Sequence, residues 1–104
     1  MVEQVFKLSN GGGKVVERVI ADENINYAHI VLMKGDAVPE HTTNSNVYMT
    51  VVCGRLAIAL EGQDFHEYEA GTVLKIPLGI KMKFQNLYDG ELELIIVKAP
   101  APTV

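Results

Sequence analysis

Residues 71–86 read GTVLKIPLGIKMKFQN and contain two short apolar runs separated by a proline and a glycine. The runs, 72–76 and 81–86, have the length of strands; the first contains the β-branched Thr72, Val73 and Ile76, and the second contains Met82 and the aromatic Phe84. Pro77 and Gly79 favour a turn, because proline fixes its own φ and glycine tolerates positive φ. The stretch therefore predicts two strands joined by a tight turn.

The same pattern of short apolar runs bounded by Gly, Pro, Asn and Asp continues along the chain in both directions. No window shows a period of 3.6 residues long enough for a helix. Many short strands at regular spacing are typical of an all-β sandwich or barrel. The predicted strands are Gln4–Leu8, Val15–Ala21, Asn26–Met33, Val38–His41, Val47–Cys53, Arg55–Leu60, Phe65–Glu69, Thr72–Ile76, Lys81–Asn86 and Glu91–Lys98.

Length and composition predict one compact domain. The chain has 104 residues, of which 48% are hydrophobic and 21% charged, as expected of a globule with a single core. We expect residues 1–98 to form the barrel domain. Residues 99–104, which read APAPTV, are expected to be a frayed C-terminal tail, because proline cannot donate to a strand ladder.

Charge and cysteine content narrow the partners and the compartment. The net charge of −4 argues against nucleic acid or an anionic membrane as the main partner, since both require a basic surface. The single Cys53 excludes an internal disulfide, so a reduced, cytoplasmic setting is the default. We expect no signal peptide, because the N-terminus lacks a basic region followed by an apolar run.

Two segments, Ile30–Met33 and Leu94–Val97, are apolar on both faces of the predicted strand. A sheet with one solvated face would alternate apolar and polar residues instead. One face can fill a barrel, and the other then requires a second sheet or another subunit. We therefore predict a homodimer.

Two segments also resemble the paired motifs of the cupin superfamily. The first family motif places two histidines and a glutamate between two glycines, and the second places a histidine between a Gly-Pro-Gly frame and an asparagine. Together they span half of the chain here. The framework residues that match are Gly35, His41 and Gly54 in the first motif and Gly71, Pro77, Gly79 and Asn86 in the second.

The resemblance implies a cupin-type double-stranded β-helix, or jelly-roll, barrel of the small single-domain kind with one conserved barrel (cupin-2 type). It also implies four inward metal ligands, and most of these are replaced here. The first ligand is retained as His41, but Thr43, Val47 and Met82 occupy the other three positions. A site of two histidines and one carboxylate needs all three groups to converge on the ion. We therefore predict a degenerate site with no metal and no cofactor.

Other residues offer ways to rebuild a site. His29 and His66 are two candidates, although we interpret His29 as a packed histidine with satisfied hydrogen bonds and His66 as partly exposed. If the strand from Val47 alternates regularly, Met49, Val51 and Cys53 face inward and could join His41 and Met82 in a soft Cu(I) site. Packing is the favoured interpretation, because methionine fills irregular gaps and buried cysteine acts as a small hydrophobe.

The function prediction is a non-catalytic or accessory barrel that binds a small, partly apolar organic ligand without a metal. Its lining would comprise His41, Thr43, Val47, Met49 and Met82, and we assign no catalytic residue. Alternatives are a metal-independent isomerase-like or lyase-like enzyme using His41 with Tyr48, a metal-dependent cupin enzyme with an atypical ligand set, and a dimeric interaction module. It is equally open that these side chains fill the barrel and leave no cavity.

Overall fold

The structure, a computed structural model, describes residues 2–10 and 12–102. Within these residues it contains nine strands and no helix, so the prediction of an all-β fold is confirmed. The nine correspond to predicted strands, with ends that agree to within one residue. They are β1 (Val15–Ala21), β2 (Asn26–Leu32), β3 (Ala37–Thr42), β4 (Val47–Cys53), β5 (Arg55–Leu60), β6 (His66–Glu69), β7 (Val73–Ile76), β8 (Lys81–Gln85) and β9 (Leu92–Lys98).

The tenth predicted strand, Gln4–Leu8, is wrong. Residues 2–10 form no strand, and Phe6 and Leu8 are exposed. The segment is joined to the sheet through Ser9, whose amide donates to the carboxylate of Glu17 at 2.9 Å. An apolar run becomes a strand only where its backbone pairs with a sheet edge, and no described pairing involves these residues.

In the same described ranges, no helix is long and apolar enough to cross a membrane.

The strands form two antiparallel sheets that face each other. Sheet A has the order β1-β2-β9-β4-β7 and sheet B the order β3-β8-β5-β6. Alternate residues of strands β2 to β9 point between the sheets and form, or pack against, one apolar core. Its buried members are Ile30, Leu32, Val47, Met49, Val51, Leu56, Ile58, Ile76, Met82, Phe84, Leu92, Leu94 and Ile96.

The outer face of sheet A carries the second apolar set that the sequence indicated. Ile95 and Val97 on β9 are half-buried there, while their neighbours Leu94 and Ile96 point into the core. A homodimer stays a prediction, and these outward side chains are the ones it would cover.

Gly54 shows why one turn requires glycine. It joins β4 to β5 with φ of +84°, and a Cβ at this position would lie 2.3 Å from the backbone oxygen of Glu91. A backbone atom cannot move aside as a flexible side chain can, so the close approach of the two chain segments depends on the missing side chain.

Residues 99–102 follow β9 and are partly held by backbone hydrogen bonds. The amide of Ala99 donates to the backbone oxygen of Asn46 at 3.1 Å, and the amide of Ala101 donates to the backbone oxygen of Asn24 at 2.9 Å. The Ser45 hydroxyl donates to the Pro100 oxygen. Residues 103–104 of the expected tail lie outside the described residues, so a domain boundary at residue 98 stays a prediction.

A buried ionic triad on the outer face of sheet A ties its first three strands together. His29 on β2 is fully buried. Its Nδ1 lies 2.6 Å from a carboxylate oxygen of Glu17 on β1, and its Nε2 lies 2.6 Å from one of Glu93 on β9. The interpretation of His29 as a packed histidine with satisfied hydrogen bonds is confirmed. Ionised carboxylates only accept hydrogen bonds, so both ring nitrogens donate and the imidazole is charged.

The surroundings shift two pKa values in opposite directions. Desolvation of the buried ring lowers the pKa of His29, but hydrogen bonds to Glu17 and Glu93 and their negative charges outweigh it, so the net pKa is raised. The pKa of Glu17 is lowered by its hydrogen bond to His29 and then by the Ser9 amide, against a smaller opposing effect of desolvation.

These shifts predict a stability contribution that depends on pH. His29 contributes fully below its ordinary pKa of 6.5 and loses the contribution as the pH rises through its raised folded pKa. Glu17 contributes above its ordinary pKa of 4.5 and loses the contribution as the pH falls through its lowered folded pKa. The unfolding free energy of wild type should therefore exceed that of His29→Gln by the largest amount between pH 4.5 and 6.5.

Urea unfolding curves across the pH range measure this difference, since urea does not screen charges as guanidinium does. The matched control is His66→Gln, because His66 is exposed on β6. The difference in unfolding free energy between wild type and His66→Gln should stay nearly constant with pH. A constant difference for His29→Gln would contradict the charged triad.

Candidate functional site

Three of the five predicted ligand-binding residues fill the centre of the barrel. Val47 and Met49 are fully buried and Met82 is 3% exposed, and all three belong to the apolar core. Met49 lies beside Ile96 across the β4–β9 pair, and Met82 lies opposite His41 across the β3–β8 pair. These side chains pack against other core residues from both sheets.

His41 and Thr43 do not complete a polar lining for that centre. The His41 side chain is exposed, and its Nδ1 is 3.1 Å from the backbone oxygen of Pro39. The Thr43 hydroxyl donates to the Pro77 oxygen at 2.8 Å and accepts from the Ile80 amide at 2.9 Å. Thr43 thus fastens the first motif to the turn of the second, and its single proton is already committed.

The family's metal positions do not fit an ion in this chain. They offer one exposed imidazole, one hydroxyl with its proton in use, and the apolar side chains of Val47 and Met82. A divalent metal needs several converging nitrogen or oxygen donors. In residues 2–10 and 12–102, no three His, Cys, Asp or Glu side chains are arranged to hold a metal ion. The absence of a bound metal stays a prediction.

The alternative sites suggested by the sequence are not assembled either. The register of β4 shifts between Val51 and Cys53, so Val51 is buried while Cys53 is exposed and turns away from the methionines. Regular alternation, the condition on which the soft Cu(I) site depended, therefore does not hold as far as Cys53. Tyr48 also points away from the core and lies beside Lys75, whose Nζ is 5.9 Å from its ring centroid. His66 is exposed.

A cavity lies at the β1 edge of sheet A, on the side of the sheet that faces the core. Its volume is about 300 Å³, and we call it the edge cavity. Strand pairing places Arg18 beside Ala28 and Ala28 beside Ile96, in one row across β1, β2 and β9. Because successive residues alternate between faces, Val16 shares this face. The residues that line the cavity are Val16, Glu17, Arg18, Asn26, Ala28, Ile96 and Lys98.

The floor of the edge cavity is apolar and its rim is polar. Ala28 and Ile96 pack against the core, and Val16 is 65% exposed beside them. Arg18, Asn26 and Lys98 form the rim, and they also line a second cavity of about 380 Å³. Asn26 and Lys98 are direct partners across the β2–β9 pair. The arrangement offers apolar contact together with several hydrogen-bond donors.

The carboxylates nearest this cavity are engaged elsewhere. Glu17 bonds to His29 on the opposite face of the sheet. Asp22, which lines the second cavity, accepts hydrogen bonds from the amides of Asn24 and Ile25 at 2.8 and 3.0 Å. Lys98 Nζ donates to the neutral Asn44 amide oxygen at 3.3 Å. Among the described ion pairs, none involves Arg18 or Lys98.

None of the five ligand-binding residues predicted from the sequence lines the edge cavity. Arg18 and Lys98 resemble ordinary solvent-facing strand charges in the sequence, and only the strand register brings them to one face. One local signal existed: Ala28 is the small residue on a strand of larger ones, which leaves space above it.

Comparison with known proteins identifies the fold and the family. No family model matches the chain. An uncharacterised protein of Methanocaldococcus jannaschii is 36% identical over 103 residues, which cover 98% of this chain and 89% of the relative. A crystal structure from the same organism, of an RmlC-like cupin family protein with a double-stranded β-helix fold, superposes with a TM-score of 0.93 at 36% identity. The alignment covers 98% of this chain and 94% of the other.

A more distant structure agrees in fold. A cupin superfamily protein of Desulfitobacterium hafniense has a TM-score of 0.75 at 11% identity, with 89% of this chain and 83% of the other covered. The matched framework glycines, the jelly-roll topology and the relative that spans nearly the whole chain agree. The chain belongs to the RmlC-like cupin family and has its double-stranded β-helix fold.

Proposed function

We propose that this barrel binds a small, partly apolar organic ligand without a metal ion, and that the ligand occupies the edge cavity. The observation that carries the proposal is the cavity itself, which combines an apolar floor with a rim of donors. Small-molecule sites are concave, largely apolar and furnished with a few polar groups that fix orientation. A volume of about 300 Å³ is at the lower end for such sites.

The contents of the barrel centre support a ligand at the edge. Val47, Met49 and Met82 occupy the positions where a central ligand would contact the protein, and each is almost fully buried by its neighbours. Opening that centre would forfeit apolar burial of about 1.5–3 kcal/mol for each large side chain displaced. A ligand in the edge cavity displaces no core residue.

The cavity residues favour binding over catalysis. The rim supplies a guanidinium, an ammonium and an amide, while Glu17 is committed to His29 on the other face. A nucleophile with an activating base, or an acid–base pair, is the minimum for covalent or proton-transfer chemistry. We therefore propose a non-catalytic or accessory role, in the reduced, cytoplasmic setting that the lone Cys53 predicts.

One test of the proposed function concerns metal. Elemental analysis of protein purified without a chelator should give far less than one metal ion per chain. Added EDTA should shift the unfolding midpoint by less than about 1 °C, because an ion that does not bind the folded state cannot stabilise it. A stoichiometric metal that is lost in His41→Ala would contradict the proposal, and His66→Ala is the control for an exposed histidine.

Another test concerns the cavity. Fragments of roughly ten non-hydrogen atoms, both neutral and charged, should include binders with Kd near 1 mM by NMR titration. Val16→Trp should weaken the best binder about tenfold or more, because the indole would occupy the cavity. The matched control is Val73→Trp: Val16 is 65% and Val73 63% exposed, and they lie on opposite edge strands of sheet A.

Unfolding curves establish whether both tryptophan variants fold. If Val16→Trp does not fold, Ala28→Leu replaces it, because the larger side chain would fill the same cavity from its floor. The proposal is overturned if no fragment binds, or if the two tryptophan variants weaken binding equally.

A further inference from the structure

We infer that the ligand of the edge cavity carries a carboxylate group, and that Arg18 and Lys98 hold it. The site would then select small organic anions with an apolar body over neutral molecules of the same shape. This inference rests on the proposed function and adds the chemical class of the ligand.

Strand register brings the two cations to one cavity. Arg18 on β1 shares a row with Ala28 and Ile96, and Lys98 follows Ile96 by two residues on β9. Residues two apart on a strand project from the same face, so Lys98 lies on the face that carries Arg18. Both residues line the edge cavity and the second cavity beside it.

Neither Arg18 nor Lys98 takes part in an ion pair in the part of the chain that the structure describes. Glu17 and Asp22, the acidic residues among those that line the two cavities, bond to His29 and to backbone amides. Two positive charges therefore line the same cavity without an ion-pair partner there, in a protein whose net charge is −4.

The chemistry of the rim matches a carboxylate. A guanidinium presents parallel N–H donors that fit both oxygens of a carboxylate, and an ammonium adds a point charge. Asn26 contributes a neutral amide on the same rim. The floor of Val16, Ala28 and Ile96 would bury an aliphatic or aromatic body, which inorganic anions lack.

The test compares three kinds of probe by NMR titration at low ionic strength, where surface charges are least screened. The carboxylates are benzoate, phenylacetate and hexanoate, each measured beside its own primary amide, and inorganic phosphate is the third probe. At least one carboxylate should bind about tenfold more tightly than its amide, because hydrogen bonds to charged groups are the stronger ones. Phosphate should bind more weakly than that carboxylate.

Substitutions then test whether Arg18 and Lys98 are the residues that bind the carboxylate. Arg18→Gln and Lys98→Gln should each weaken the carboxylate about tenfold and leave the amide nearly unchanged. Arg18→Lys should recover part of the lost affinity, because lysine keeps the positive charge but lacks the parallel N–H donors of the guanidinium. The matched control is Lys75→Gln, which removes one positive charge from the outer face of sheet A and should change neither affinity. Unfolding midpoints verify that each variant is folded.

The outcomes distinguish a failure of the anion inference from a failure of the proposed function. If amides bind as tightly as carboxylates and Val16→Trp blocks both, the anion inference is overturned while the proposed function stands. Phosphate as tight as the best carboxylate overturns the inference too, because the apolar floor would then contribute nothing. If no probe of any class binds, both are overturned.

Discussion

The structure depends on the packing of apolar side chains from two facing sheets, and two of these side chains, Val47 and Met82, stand where the family motifs have metal ligands. Val47, Met49 and Met82 are buried between the sheets with large neighbours such as Leu94 and Phe84. A carboxylate or imidazole at those positions would be costly to bury without a partner, whereas these side chains each contribute about 1.5–3 kcal/mol through burial. The apolar side chains of Val47 and Met82, which stand where the resemblance implies ligands, thus contribute to the stability of the fold.

Space remains instead at the β1 edge of sheet A. There β1 contacts chiefly β2, and the edge cavity lies beside it. The Glu17–His29–Glu93 triad holds β1 in place from the outer face, and Arg18, the next residue along β1, points to the opposite side. One ionic cluster therefore fixes the strand that carries the proposed anion contact.

The sequence predicted much of the fold and little of the candidate site, for a physical reason. Strands such as Val47–Cys53 and Arg55–Leu60 follow from local content and from the glycine between them. Gly54 is required because a Cβ at this position would lie 2.3 Å from the backbone oxygen of Glu91. Gln4–Leu8 has equally apolar content, but a strand needs a partner edge, which local sequence does not specify. The inward positions of Val47 and Met82 were implied by the resemblance to the cupin motifs, and both side chains are buried in the core.

The edge cavity could not be foreseen in the same way, because it is built from cross-strand neighbours. Arg18, Ala28 and Ile96 are far apart in the chain and become adjacent only through the pairing of β1, β2 and β9. Cys53 illustrates the converse: a register shift of one residue turned a side chain expected inside to the surface. Register is a property of the assembled sheet, so a single sequence specifies it weakly.

The most direct test of a filled centre with a ligand site at its edge is methyl NMR on protein labelled at Ala, Ile, Val and Met, titrated with benzoate. The largest shifts should fall on Val16, Ala28 and Ile96, with the methyl groups of Val47 and Met82 nearly unmoved. Large shifts at Val47 and Met82, with Val16 unaffected, would place the ligand in the barrel centre and contradict the packing described above.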